Sequence, residues 1–171
     1  MDRFGFIHDK LDIKILILFV LGRLPAAIDG NGLSQLVLID DGISYFDYTD
    51  CLAELVETEH VEETESGYRI TEKGARNGSA IESSLPYSVR KKAERILAPV
   101  AEKLQRENMI VTEVLAVGDG TARAKLSLSD GMGEILSLQI LCADEAQARK
   151  VCENFRADAE HHYHRMIGML S

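Results

Sequence analysis

The sequence predicts an α+β protein, with helices filling most of its first two thirds and an antiparallel sheet in the last. Three observations carry this. Apolar residues recur at helical spacing, apart from one short hairpin, to about residue 107. Beyond it they alternate as in strands: Ala122, Ala124, Leu126 and Leu128 interleave with Arg123, Lys125, Ser127 and Ser129, so one face of the sheet is wet. The turns Gly118-Asp119-Gly120 and Asp130-Gly131-Met132-Gly133 divide this stretch into three strands. With 171 residues, 46% apolar and 27% charged, the chain can bury its own core without disulfides or metal.

Each element has a local reason. Asp12 is placed to cap a helix over 13–23, apolar all round and therefore expected at the centre of the core. Pro25 ends it. Asp29-Gly30-Asn31-Gly32 is a turn, with Asn31 placed to cap a short helix through Leu33, Leu36 and Val37. After Asp40-Asp41-Gly42, Ser44 caps a third helix to Glu57, with Asp47 at the capping-box position. Tyr45, Tyr48, Leu52, Leu55 and Val56 form its apolar face. Residues 60–64 and 68–71 read as strands around Glu65-Ser66-Gly67. Thr71 caps the next segment, in which Gly74 and Gly78 weaken any helix. A long helix over 88–107 sets Val89, Ala93, Ile96, Leu97, Val100 and Leu104 on one face, with a kink or break expected at Pro99. Strands at 109–117, 121–129 and 134–142 precede one terminal helix over 144–169, with Val151, Cys152, Phe155, Ala159 and Met166 facing inward.

This order divides the chain into residues 1–86, a winged helix-turn-helix with its wing; 87–108, a linking helix; and 109–171, a β-β-β-α unit. In such a head the third helix is presented to the DNA major groove, and the wing flanks it. The stretch Gly67-Tyr68-Arg69-Ile70-Thr71-Glu72-Lys73-Gly74 resembles the wing ending of bacterial regulators of the MarR and PadR type, whose winged helix residues 10–75 resemble. Over nearly its whole length the chain resembles an uncharacterised bacterial family known only as a domain of unknown function. Gly42-Ile43-Ser44-Tyr45-Phe46-Asp47, Tyr68 to Gly74, and Leu85-Pro86-Tyr87-Ser88-Val89-Arg90 carry that resemblance. It implies a winged-helix domain joined to a small α/β unit, a role in transcription and no enzyme activity. By analogy with MarR-like proteins, the helix at 88–107 or the terminal helix would build a homodimer.

Charge argues against simple DNA binding. The net charge of −9 equals that of residues 1–74 alone, which hold six basic residues (Arg3, Lys10, Lys14, Arg23, Arg69 and Lys73) and fifteen acidic ones. Residues 75–108 carry +3 and residues 109–171 carry −3. Asp47, Asp50, Glu54 and Glu57 make an acidic stripe on the third helix, which has no Lys or Arg. A charge about 7 Å from a phosphate in water opposes binding by roughly 0.6 kcal/mol. The candidate DNA contacts are therefore Ser44, Tyr45 and Thr49 on the helix, Arg69 and Lys73 at the wing base, and Arg90, Lys91, Lys92 and Arg95 after it. The alternatives are a scaffold whose stripe of Asp47, Asp50, Glu54 and Glu57 meets a basic protein, or a ligand sensor using the last unit.

Other chemistry finds little footing. Cys51, Cys142 and Cys152 are too scattered for a disulfide framework or a zinc site, which suits a reducing cytoplasm. Asp2, Asp9 and Asp12 precede the apolar run Ile15 to Leu21, the wrong charge for a signal peptide, and the run is too short for a membrane span. His161, His162 and His164 lack a trusted third ligand set, so no metal is expected. No cofactor is expected either, because the terminal helix suffices to cover the apolar face of the sheet.

Overall fold

In the computed structural model, which describes residues 5–7 and 9–171, eight of the twelve residues of α1 (Lys10–Leu21) are buried. Asp2 and Arg3 lie outside the described residues. The cap of α1 is Asp9, whose carboxylate accepts from the Leu11 N–H, and not Asp12, which sits inside the first turn. Either Asp suits a helix start, and the apolar pattern did not separate them. The run Ile15 to Leu21 is buried on every side because α1 meets α2 (Gly30–Val37), α3 (Tyr45–Glu57), α4 (Glu72–Ile81) and strand β2 (Gly67–Ile70). Full burial of such side chains contributes about 1.5–3 kcal/mol each.

The cap of α2 is Asp29, whose carboxylate accepts from Gly32 N–H at 2.7 Å, two residues before the expected Asn31. In α3 Ser44 is the cap: its hydroxyl accepts from Asp47 N–H at 3.1 Å and donates to the Asp47 carboxylate at 2.7 Å. Strands β1 (Val61–Thr64) and β2 form the hairpin, and Ile28 adds a bridge to Tyr68 on the far side of β2. That bridge fixes Gly67, where φ is +120° and a Cβ would stand 2.1 Å from the Ile28 carbonyl oxygen.

Thr71 caps α4 by accepting from Gly74 N–H. The two glycines expected to weaken a helix here lie within it instead. Both are buried, and a Cβ on Gly74 would stand 2.0 Å from the His60 carbonyl. Close packing outweighs their low propensity. After a 3₁₀ turn at 82–84, α5 (Tyr87–Met109) continues through Pro99 as one helix, so of the kink or break expected there the break does not occur. Val89, Ala93 and Leu97 bury its inner face, while Pro99 is exposed.

The chain divides into two compact units, residues 1–104 and 105–171, with the boundary inside α5. In the second unit β3 (Ile110–Ala116), β4 (Ala122–Ser129) and β5 (Glu134–Cys142) form an antiparallel sheet in the order β3-β4-β5. Ala122, Ala124, Leu126 and Leu128 are buried beneath Ala148, Cys152 and Phe155 of α6 (Glu145–Ala157). Arg156 ties α6 to Thr112 of β3 at 2.9 Å. The terminal segment is two helices, not one: α7 (Ala159–Leu170) follows a break at Asp158, whose φ of −154° and ψ of 58° leave the helical region. Asp144 caps α6 as a helix beginning there requires.

Candidate functional site

The first turn of α3 presents Tyr45 and Phe46 to solvent, 60% and 81% exposed. Tyr45 thus leaves the apolar face on which its spacing placed it, while Cys51 joins Tyr48, Leu52 and Leu55 inside. At a helix start the side chain has no preceding turn to lie against, so spacing alone overstated its burial. The Tyr48 hydroxyl is buried without a protein partner, and desolvation pushes its pKa well above the tyrosine range. Thr49 donates to the Phe46 carbonyl at 2.9 Å, and the Ser44 hydroxyl is occupied by the cap.

The acidic stripe is partly neutralised from α1. Lys10 pairs with Asp50 at 3.2 Å, and Lys14 with Glu54. Two cations four residues apart on one helix meet two acids four residues apart on the other. The Lys14 ammonium holds the Glu54 carboxyl below its usual range, and Asp50 raises Lys10. Asp47 is engaged by Ser44, and Glu57 is exposed. No sequence-local signal revealed these pairs, because their partners lie 40 residues apart.

The wing-base cations are also engaged. Arg69 pairs with Glu62, its register partner across the hairpin. Lys73 donates to the Thr58 carbonyl at 2.7 Å, at the C-cap of α3, where a cation suits the helix dipole. The cluster at the start of α5 is different. Lys92 donates to the Ile39 carbonyl, in the connection between α2 and α3, and so holds its side of α5 beside the segment leading into Ser44. Lys91 pairs with Glu94 at 2.9 Å, which raises the lysine and lowers the carboxyl. Arg90 and Lys91 lie 6.0 and 5.7 Å from the Tyr87 ring. Arg95 is exposed, and it lines a shallow depression with Ser88, Lys91, Lys92 and Glu94.

The chain belongs to the DUF4364 family. That family's model, described as a domain of unknown function, matches residues 13–170, so both units lie within it. No curated protein and no solved structure matches the chain.

Elsewhere in this DUF4364 chain, His162 stacks on Phe155 with ring centroids 6.2 Å apart. No group of three or more His, Cys, Asp or Glu among the described residues is placed to hold a metal. The three cysteines are buried free thiols, with Cys51 and Cys152 pushed upward by desolvation. No helix among the described residues is long and apolar enough to cross a membrane. A mainly apolar groove of about 310 Å³ lies in the second unit among β4, β5, α6 and α7.

Proposed function

We propose that the first unit is a winged helix-turn-helix that binds double-stranded DNA as part of a homodimer, in a cytoplasmic role in transcription control. The order helix, bridging strand, helix, helix, hairpin supports the fold assignment, with Ile28 and Tyr68 supplying the third-strand bridge. The observation that carries the DNA reading is the bond from Lys92 to Ile39. It sets Lys92, and with it Lys91 and Arg95 on the same surface, beside the approach to α3, where cations contact the phosphates flanking a groove; Arg90, whose Nε is buried, turns to another side of α5. Tyr45, Phe46 and Thr49 then face base edges, and the pairing of Asp50 and Glu54 with Lys10 and Lys14 reduces the repulsion of the stripe. Arg69 and Lys73 serve α3 and the wing first and add to DNA binding second.

Binding to a promoter duplex should weaken steeply with salt. The double variant Lys91→Ala/Arg95→Ala leaves the Lys92 tie in place. It should lower affinity on all sequences and reduce the salt slope by about 1 for each phosphate no longer neutralised. Fluorescence anisotropy from about 50 to 200 mM salt reads both effects. An affinity that does not respond to salt or to these changes overturns the DNA reading.

A second reading has an observation of its own. Exposed Tyr45 and Phe46, close in sequence to acidic Asp41, Asp47 and Asp50, also suit a basic protein partner. It is favoured if Phe46→Ala abolishes capture of such a partner while the head shows no DNA affinity.

A further inference from the structure

The sheet of the second unit has two edges, β3 and β5, and they are built differently. Natural proteins guard edge strands with charge, proline, shortness or a covering element. At the middle of β3 stands Glu113, 3.8 Å from Lys125 of β4. Antiparallel pairing of β3 with its own copy about that position would set carboxylate against carboxylate. By contrast β5 is nine residues long and holds neither charge nor proline from Ile135 to Cys142. Its one irregularity is the register shift near Ile135, at one end.

The cover over β5 is also incomplete. Packing of α6 is mainly on β3 and β4. The apolar groove opens beside β5, lined by Leu138, Ile140, Val151, Phe155, Met166 and Met169. Near it Ile140 is 41% exposed, and Ile167 and Leu170 of α7 are 50% and 85% exposed.

We propose that two copies of the chain meet here, β5 pairing antiparallel with β5 of the second copy about a two-fold axis at Leu138, giving a continuous six-stranded sheet. What the edge leaves unmet is main-chain N–H and C=O, so its occupant is a strand. The occupant must also bring no charge into an uncharged seam. Among the described strands, β1 carries Glu62 and Glu63, β2 Arg69, β3 Glu113, and β4 Arg123 and Lys125; β5 alone meets the requirement from Ile135 onward. The strand is also self-complementary. About Leu138, Leu136 of one copy faces Ile140 of the other on the groove side, and Ser137 faces Gln139 on the open side. An axis between two residues would instead set Ser137 against Leu138 and exchange the faces. From Ile135 to Leu141 the isologous seam therefore joins apolar to apolar and uncharged polar to uncharged polar, with Glu134 facing Cys142 only at its two ends.

This inference rests on the dimer half of the proposed function and not on its DNA half. Two double variants test it, at exposed positions of the open face. Ser137→Glu/Gln139→Glu sets carboxylates opposite each other across the seam. Ser137→Lys/Gln139→Glu sets an ammonium opposite each carboxylate, and both variants keep a carboxylate beside Lys125, the β4 partner of position 139. Light scattering without DNA over a range of protein concentrations reads the mass, and circular dichroism checks folding. The wild type should be a dimer, the first variant should dissociate at least about tenfold more readily, and the second should regain the dimer. A monomeric wild type overturns the proposal. So does a first variant as dimeric as the wild type, or equal weakening in both. DNA affinity is measured separately, so failure of that reading leaves this outcome unchanged.

Discussion

In the first unit α1 is enclosed on all sides by helices and the hairpin, while in the second β5 is bonded along one edge and only partly covered. The charges follow the same division. Lysines of α1 neutralise acids of α3, Arg69 is held by Glu62, and Lys73 closes a helix end. The second unit leaves Ile140, Leu141, Met169 and Leu170 exposed beside its uncharged edge. Both units are acidic overall, yet one is enclosed and the other incomplete. Net charge and fraction apolar distinguish neither condition.

Truncating side chains in the enclosed core should set the two units apart most. Leu16→Ala in α1 should destabilise the first unit by about 3 kcal/mol, and Leu126→Ala the second by about 2 kcal/mol. The buried thiols report each unit separately: Cys51 lies in the first, Cys142 and Cys152 in the second. If the units open independently, Leu16→Ala should accelerate labelling of Cys51 about a hundredfold and leave the other two unchanged. Equal acceleration of all three would mean that the units unfold as one.

Within the head, removing one hydroxyl has a smaller effect. The Tyr48 hydroxyl is buried without a protein partner. Tyr48→Phe should therefore leave stability unchanged or raise it by up to about 1 kcal/mol in denaturant titration. A loss of that size would show that the hydroxyl is satisfied in solution.

The smallest effect concerns the paired stripe. Glu54 titrates below its ordinary 4.5 because Lys14 hydrogen-bonds its carboxylate. A carboxyl lowered on folding stabilises the fold above its ordinary pKa, and loses that contribution as pH falls through the lowered value. Lys14→Met should therefore melt lower than the wild type at neutral pH and converge with it in acid. A melting difference constant across that range would remove Glu54 from the account.

Local grammar in the sequence was sufficient for most of this fold. Ser44 and Thr71 were readable as caps because each lies one residue before a new period. Alternation in β4 gave the covered face directly. Where two acceptors competed, as with Asp9 and Asp12 or Asp29 and Asn31, the choice depended on backbone dihedrals that composition does not encode. The break at Asp158 occupies a single residue, too short to disturb a helical pattern. The candidate site was less legible. Its residue types were visible, but Lys10 to Asp50, Lys14 to Glu54 and Lys92 to Ile39 join positions about 40 to 50 apart. Such pairing exists only once α1, α3 and α5 have packed.

The division at Leu104 has a consequence for how the chain is made. The two units are consecutive in sequence, with no return crossing between them. Translation at about 5–20 residues per second delivers the whole enclosed head seconds before the sheet is complete. The strand that most requires a neighbour, β5, follows both its sheet-mates and precedes its covering helices. Newly synthesised chains therefore carry a finished head while β5 is still bare. The hazardous interval for this strand lies between its own synthesis and that of α6 and α7.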